Sequence, residues 1–101
     1  MLNCLIVEDN EKLRLAMKAG LEKSGQVAVT SDCASGETAF EICLADAPDV
    51  ILMDVQLAGE INGIETTVSI RREYPRMPIV FYSIQDDDAY YRAFRQAGIL
   101  S

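Results

Sequence analysis

Four polar side chains directly follow or end short apolar segments of this 101-residue chain. Glu8 and Asp9 come after LNCLIV, Asp54 ends VILMD, and Ser83 follows IVFY. A carboxylate at the end of a buried segment costs free energy unless it is paired. Several such carboxylates side by side repel one another, and a hard cation such as Mg²⁺, which prefers oxygen ligands, offsets that repulsion. If the fold brings these carboxylates together, a metal site is expected there.

Strand-like and helix-like segments alternate along the whole chain. The predicted strands are residues 2–7, 27–33, 49–54 and 79–83, with the start of a fifth at 99–101. The predicted helices begin after Asn10, after Ser35, at Gly63 and at Asp86, and they end before Gly25, Pro48, Pro75 and Gly98. The residues predicted to face the core are Leu13, Met17 and Leu21, then Ala39, Phe40, Cys43 and Leu44, then Ile64, Val68 and Ile70.

This alternation predicts a doubly wound α/β fold. Strands that alternate with helices pair in parallel through crossovers, and strands that are apolar throughout are covered on both faces. In such a sheet, ligands bind at the carboxyl ends of the strands. If the first and third strands are neighbours, Glu8, Asp9 and Asp54 crowd one crevice, and Ser83 ends the fourth strand at the same edge.

Four short motifs on this framework carry a family resemblance. The segments VEDN at 7–10, LMD at 52–54, NG at 62–63 and YS at 82–83 together resemble the receiver domain of two-component response regulators. The resemblance implies a flavodoxin-like strand order 2-1-3-4-5. It also implies that residues 1–101 form one receiver domain that is incomplete at its C-terminus.

The resemblance assigns roles residue by residue. Asp54 matches the aspartate that accepts a phosphoryl group from a histidine kinase, a phosphotransfer protein or a small phosphodonor. Asp9 matches a direct Mg²⁺ ligand, Glu8 its neighbour that acts through water, and Gln56 the position whose backbone carbonyl completes the metal site. Ser83 matches the hydroxyl that binds the phosphoryl group and carries the switch.

Two features depart from the family pattern. Ile84 stands where the family usually has a small residue, and we expect it to narrow access to the acyl phosphate. The family lysine at the end of the fifth strand would lie beyond Ser101, as would the rest of that strand and the fifth helix. We therefore expect either a shortened sequence or a natively short protein that completes its sheet by forming a homodimer.

Composition limits the partners. The formal net charge is −7, from 16 acidic and 9 basic residues, which disfavours direct binding to nucleic acid. Three cysteines without a CxxC pair suit a reducing cytoplasm, and no apolar run is long enough to cross a membrane. Any output domain lies outside this sequence.

Several alternatives stay open. Each acid could be purely structural, with Asp9 capping a helix and Asp54 ending a strand. The run 86–88 fits a helix N-terminus better than a second metal site. The fold could also serve as a pseudo-receiver, an interaction module that is never phosphorylated. We do not expect an enzyme, beyond catalysis of its own phosphorylation and dephosphorylation. An aspartyl phosphatase would need an acid at the position of Gln56, and a flavodoxin would need a loop rich in Ser, Thr and Gly after the first strand, where this chain has the acidic EDNEK.

Overall fold

The computed structural model describes residues 1–57 and 61–82, and the helix predicted from Asp86 and the strand start at 99–101 lie outside the described residues. Strands and helices alternate in the described part. The elements are β1 (Leu2–Val7), α1 (Glu11–Lys23), β2 (Val27–Cys33), α2 (Gly36–Ala45), β3 (Val50–Asp54), α3 (Gly63–Glu73) and β4 (Ile79–Tyr82).

The four strands form one parallel sheet in the order β2-β1-β3-β4. This order confirms the doubly wound α/β prediction for the first four strands. The register pairs Val7 with Met53 and Asp54 with Tyr82. As a result, β1, β3 and β4 all end at the same edge of the sheet.

Side-chain caps fix where the helices begin. Asn10 and Ser35 each accept the backbone N–H three residues further on, as their sequence positions predict. Helix α3 begins with a capping box, in which the Asn62 side chain accepts the Glu65 N–H at 2.9 Å and the Glu65 carboxylate accepts the Asn62 N–H. Such caps stabilise a helix by about 1 kcal/mol. Past the end of α1, Gly25 has the positive φ of 75° that was expected of a helix stop.

The core has one part on each face of the sheet. The larger cluster lies under α2 and α3 and the smaller under α1. The larger contains Leu5, Val7, Cys33, Ala39, Cys43, Ile51, Met53, Ile70, Met77 and Ile79, and the smaller Cys4, Ile6 and Val29.

Some of the predicted core positions were wrong. Leu44 is 54% exposed and Val68 is 42% exposed. Instead, α3 turns Thr66 and Thr67 inward, and burial is tolerated because each hydroxyl donates to the carbonyl four residues earlier. The apolar side of α1 is only half-buried, since none of its residues is fully covered.

A span of the bilayer takes about 20 apolar residues in a helix. No helix within the described ranges meets that requirement of length and apolarity.

Candidate metal centre

Three carboxylates meet where β1 and β3 end. Glu8 and Asp9 follow β1 directly and Asp54 is the last residue of β3, and one oxygen of each lies within 4.8 Å of the others. Glu8 is 1% exposed and Asp54 9%, whereas Asp9 is open to solvent. The structure thus brings together the three acids whose proximity the sequence predicts.

The Glu8 carboxylate is held by a donor at each oxygen. Its Oε2 accepts the Asn10 backbone N–H at 2.9 Å, and its Oε1 accepts the Tyr82 hydroxyl at 3.0 Å. The first bond comes from the loop that leads into α1, and the second from the end of β4. Two donors from separate elements fix the orientation of a side chain that solvent does not reach.

Burial raises the pKa of Glu8 to about 7. The Asn10 N–H and the Tyr82 hydroxyl favour the ionised form and oppose this rise, while Asp9 and Asp54 add to it. Near neutral pH, Glu8 is therefore poised between its protonated and ionised forms. Three unneutralised carboxylates in so small a space retain a proton more readily than one would alone.

Asp54 responds to the same surroundings. Burial raises its pKa, whereas the Gln56 N–H, which donates to Oδ1 at 3.2 Å, and a hydrogen bond with Glu8 lower it. The charge of Asp9 acts in the raising direction. Gln56 thus contacts the nucleophile candidate through its backbone, and the role of its carbonyl as a metal ligand stays a prediction.

The donor set fits a hard divalent cation. All three side chains offer oxygen, the ligand that Mg²⁺ prefers, and three protein oxygens leave room for the waters that Mg²⁺ keeps. Softer metals such as zinc favour sulfur and nitrogen, and neither element is among these donors. Glu8, Asp9 and Asp54 are the residues that would hold the ion.

Arg14 binds the backbone of Glu8 and the side chain of Asp32, and the sequence analysis did not identify it as part of the site. Its Nη1 donates to the Glu8 carbonyl at 2.8 Å, and its Nε pairs with Asp32 Oδ1 at 2.9 Å. The guanidinium therefore ties α1 to the ends of β1 and β2. The available signal was a basic residue one helical turn after the Asn10 cap, at the end that faces the site.

Gly63 sets the distance between α3 and the Asp54 backbone. Its N–H donates to the Val55 carbonyl at 3.0 Å. A Cβ atom at this position would lie 3.1 Å from the Val55 Cα and would collide with the Asp54 carbonyl oxygen. The sequence marked Gly63 as a helix start and as part of the NG motif, but its lack of a side chain is what permits this packing.

Replacement of Gly63 by alanine should lower the free energy of unfolding by about 2 kcal/mol, because the methyl group forces α3 away from β3. Urea unfolding followed by circular dichroism measures this change. Gly20→Ala is the matched control. A Cβ at Gly20 meets nothing within 4 Å, so this change in mid-helix should raise stability by up to about 1 kcal/mol. Equal effects of the two substitutions would contradict the packing argument.

Two of the predicted site residues cannot be placed. Ser83 and Ile84 lie outside the described residues. Tyr82, which the sequence analysis assigned to a strand and to the motif at 82–83 but to no role at the site, reaches the carboxylates. No local pattern marks it, since its partner lies 74 positions earlier in the chain.

Comparison with known proteins finds relatives along the whole chain. The response regulator UvrY of Escherichia coli O157:H7 is 33% identical over 98 residues, which cover 97% of this chain and 44% of UvrY. The transcriptional regulatory protein LiaR of Bacillus subtilis is 36% identical over 103 residues, which cover 100% of this chain and 47% of LiaR. The chain thus spans less than half the length of these relatives.

Solved structures share the fold. A two-component response regulator of the LuxR family from Aurantimonas sp. SI85-9A1 superimposes with a TM-score of 0.89 at 24% identity, over 97% of this chain and 69% of that one. The isolated REC domain of RcsB from Salmonella enterica serovar Typhimurium, solved with the phosphomimetic BeF3-, gives 0.87 at 19% identity, over 97% and 72%. The family model described as "Response regulator receiver domain" matches residues 4–101. With nearly its whole length matched, the chain belongs to the response regulator receiver domain family.

Proposed function

We propose that this chain is a phosphorylation-dependent signalling domain that accepts a phosphoryl group on Asp54. The donor is a histidine kinase or a phosphotransfer protein. The phosphorylated state then switches a partner or an output domain outside this sequence. The observation that supports the proposal is the convergence of Glu8, Asp9 and Asp54 oxygens within 4.8 Å at the carboxyl edge of the sheet.

The proposed reaction needs little covalent chemistry from the protein. An ionised oxygen of Asp54 forms a bond to phosphorus while the bond from phosphorus to the donor atom breaks, and the donor keeps that electron pair. When bound, Mg²⁺ supplies positive charge that offsets the repulsion between the carboxylates and the incoming phosphoryl oxygens. Its proposed ligands are the side chains of Asp9 and Asp54, the backbone carbonyl of Gln56 and, through a water, the side chain of Glu8.

The chain's own residues prepare Asp54 for this step. Its burial strips water from the carboxylate, and the Gln56 N–H at 3.2 Å from Oδ1 restricts its rotation. Positioning of this kind is the main contribution of a protein to phosphoryl transfer. Ser83, directly after β4, is the proposed hydroxyl that binds the phosphoryl oxygens and carries the switch.

Incubation with acetyl phosphate and Mg²⁺, followed by intact-mass measurement and peptide mapping, tests the proposal. We expect one added phosphoryl group, located on Asp54 and absent when Mg²⁺ is chelated. A beryllofluoride mimic should likewise bind only with Mg²⁺ present. If neither adduct forms in this chain or in any longer natural form of it, the domain is a pseudo-receiver and the proposal is wrong.

Ile84 is proposed to limit access to the acyl phosphate. Ile84→Ala should speed both phosphorylation by acetyl phosphate and hydrolysis of the product by roughly three- to tenfold, because a smaller side chain opens the path for donor and water. Ile84→Leu conserves the volume and is the control. Rates of the alanine variant that equal those of the wild type would contradict this role.

A further inference from the structure

Tyr82 connects the far side of the sheet to the carboxylate cluster. It ends β4 and pairs in register with Asp54 on β3, while its hydroxyl contacts β1, which lies beyond β3. The side chains of Tyr82 and Glu8 together therefore bridge two inter-strand spacings of about 4.8 Å each. The hydroxyl lies 3.0 Å from Glu8 Oε1 and 3.4 Å from the Val7 carbonyl oxygen.

The Tyr82 hydroxyl contacts the buried carboxylate of Glu8, whose rotation is already restricted. Glu8 is 1% exposed, and its other oxygen already accepts the Asn10 N–H at 2.9 Å. With both oxygens held, the carboxylate plane has one orientation, in which its oxygens remain near those of Asp9 and Asp54. Without the hydroxyl, Oε1 would lose its donor in a place where bulk water does not replace it.

We propose that Tyr82 is a positioning residue of the metal centre, whose hydroxyl holds Glu8 in the orientation that supports Mg²⁺. The inference rests on the proposed function, because it presupposes that these acids bind the ion. Donors that orient metal ligands contribute to affinity without touching the metal. Tyr82 would act in this way through Glu8 alone.

Tyr82→Phe tests the inference, since it removes one oxygen atom and keeps the ring. We expect the Mg²⁺ dissociation constant, measured by isothermal titration calorimetry, to rise about tenfold. In phosphorylation by acetyl phosphate, the Mg²⁺ concentration for half-maximal rate should rise by the same factor. The rate at saturating Mg²⁺ should change by less than about twofold, because Asp54 is untouched.

Tyr74→Phe is a matched control in the same chain. The Tyr74 hydroxyl donates to the Cys43 carbonyl at 2.9 Å, in a contact between α2 and the end of α3 that involves none of the three acids. Both phenylalanine variants lose a tyrosine hydroxyl and should lose thermal stability, with the larger loss for Tyr82→Phe because its acceptor is a buried carboxylate. Only Tyr82→Phe should weaken Mg²⁺ binding, and a purely structural role for Tyr82 predicts no such difference.

A double-mutant cycle with Glu8→Gln gives a second readout. If Tyr82 acts through Glu8, adding Tyr82→Phe to Glu8→Gln should weaken Mg²⁺ binding by much less than tenfold. A wild-type chain that binds no Mg²⁺ overturns the proposed function itself. If the wild type binds Mg²⁺ and Tyr82→Phe binds it equally well, the role of Tyr82 is overturned and the proposed function stands. The same holds if the losses of Mg²⁺ affinity from Tyr82→Phe and Glu8→Gln are fully additive.

Discussion

Asp54→Asn should abolish phosphorylation of the chain by acetyl phosphate. The amide has nearly the same shape as the carboxylate, but it carries no negative oxygen to attack phosphorus. Intact-mass measurement after incubation with acetyl phosphate and Mg²⁺ should show the added phosphoryl group in the wild type and none in the variant.

The same substitution should also reduce the response of stability to Mg²⁺. Asp54 is one of three mutually repelling acids, so its neutralisation should raise the stability of the metal-free chain while removing a ligand. Asp49→Asn is the control on the same stretch of chain. Asp49 precedes β3 at the opposite end and accepts the Asn3 N–H at 2.8 Å, so this variant should be phosphorylated normally. A phosphoryl group on Asp54→Asn would place the acceptor elsewhere, with Asp9 as the next candidate.

The sequence, together with the strand order that its family resemblance implies, was sufficient to predict that the three acids would meet. Each follows or ends an apolar strand, and parallel strands place their carboxyl ends at one edge. The positions of Glu8, Asp9 and Asp54 therefore follow from the topology alone and need no knowledge of side-chain packing. The caps at Asn10 and Ser35 were predictable for a similar reason, since they depend on residues only three positions apart.

What the sequence did not predict depends on contacts between distant elements. The contact of the Tyr82 hydroxyl with Glu8 depends on the strand order and register, which place the end of β4 only two strands from the end of β1. The ion pair of Arg14 with Asp32 needs the close packing of α1 on β2. On α3 the predicted core residue Ile70 is confirmed, but periodicity wrongly placed Val68 inside, and the helix buries Thr66 instead. Threonine is tolerated inside since its hydroxyl bonds to its own helix.

The Mg²⁺ affinity of the chain should rise steeply with pH and then level off above the pKa of Glu8. That pKa is about 7, raised from its ordinary value of 4.5 mainly by burial. Because Mg²⁺ needs ionised ligands, it must displace the proton that Glu8 retains below this pH. The affinity should therefore fall by about tenfold for each pH unit below 7. Isothermal titration calorimetry in buffers of different ionisation enthalpy should also detect release of the proton.

The free energy of unfolding of the metal-free chain should fall as the pH rises, opposite to the Mg²⁺ affinity. Some carboxyl groups have a higher pKa in the folded chain than in the unfolded chain. Such a group stabilises the fold at a pH below its unfolded-state pKa, and this contribution is lost as the pH rises through its folded-state pKa. Between about pH 5 and about pH 8, Glu8 should therefore remove about 2.5 kcal/mol from the free energy of unfolding. The raised pKa of Asp54 contributes with the same sign.

Glu8→Gln removes the ionisation of Glu8 itself, because glutamine keeps the shape and cannot ionise, and it also removes the influence of Glu8 on the neighbouring Asp54. Urea unfolding of both chains across this pH range should show that the metal-free wild type loses stability relative to Glu8→Gln as the pH rises. Saturating Mg²⁺ should restore the stability of the wild type at high pH far more than that of the variant. Parallel pH profiles for the two chains would show that Glu8 is ionised throughout. In that case Mg²⁺ would displace no proton from Glu8, and its affinity would depend on pH through other groups alone.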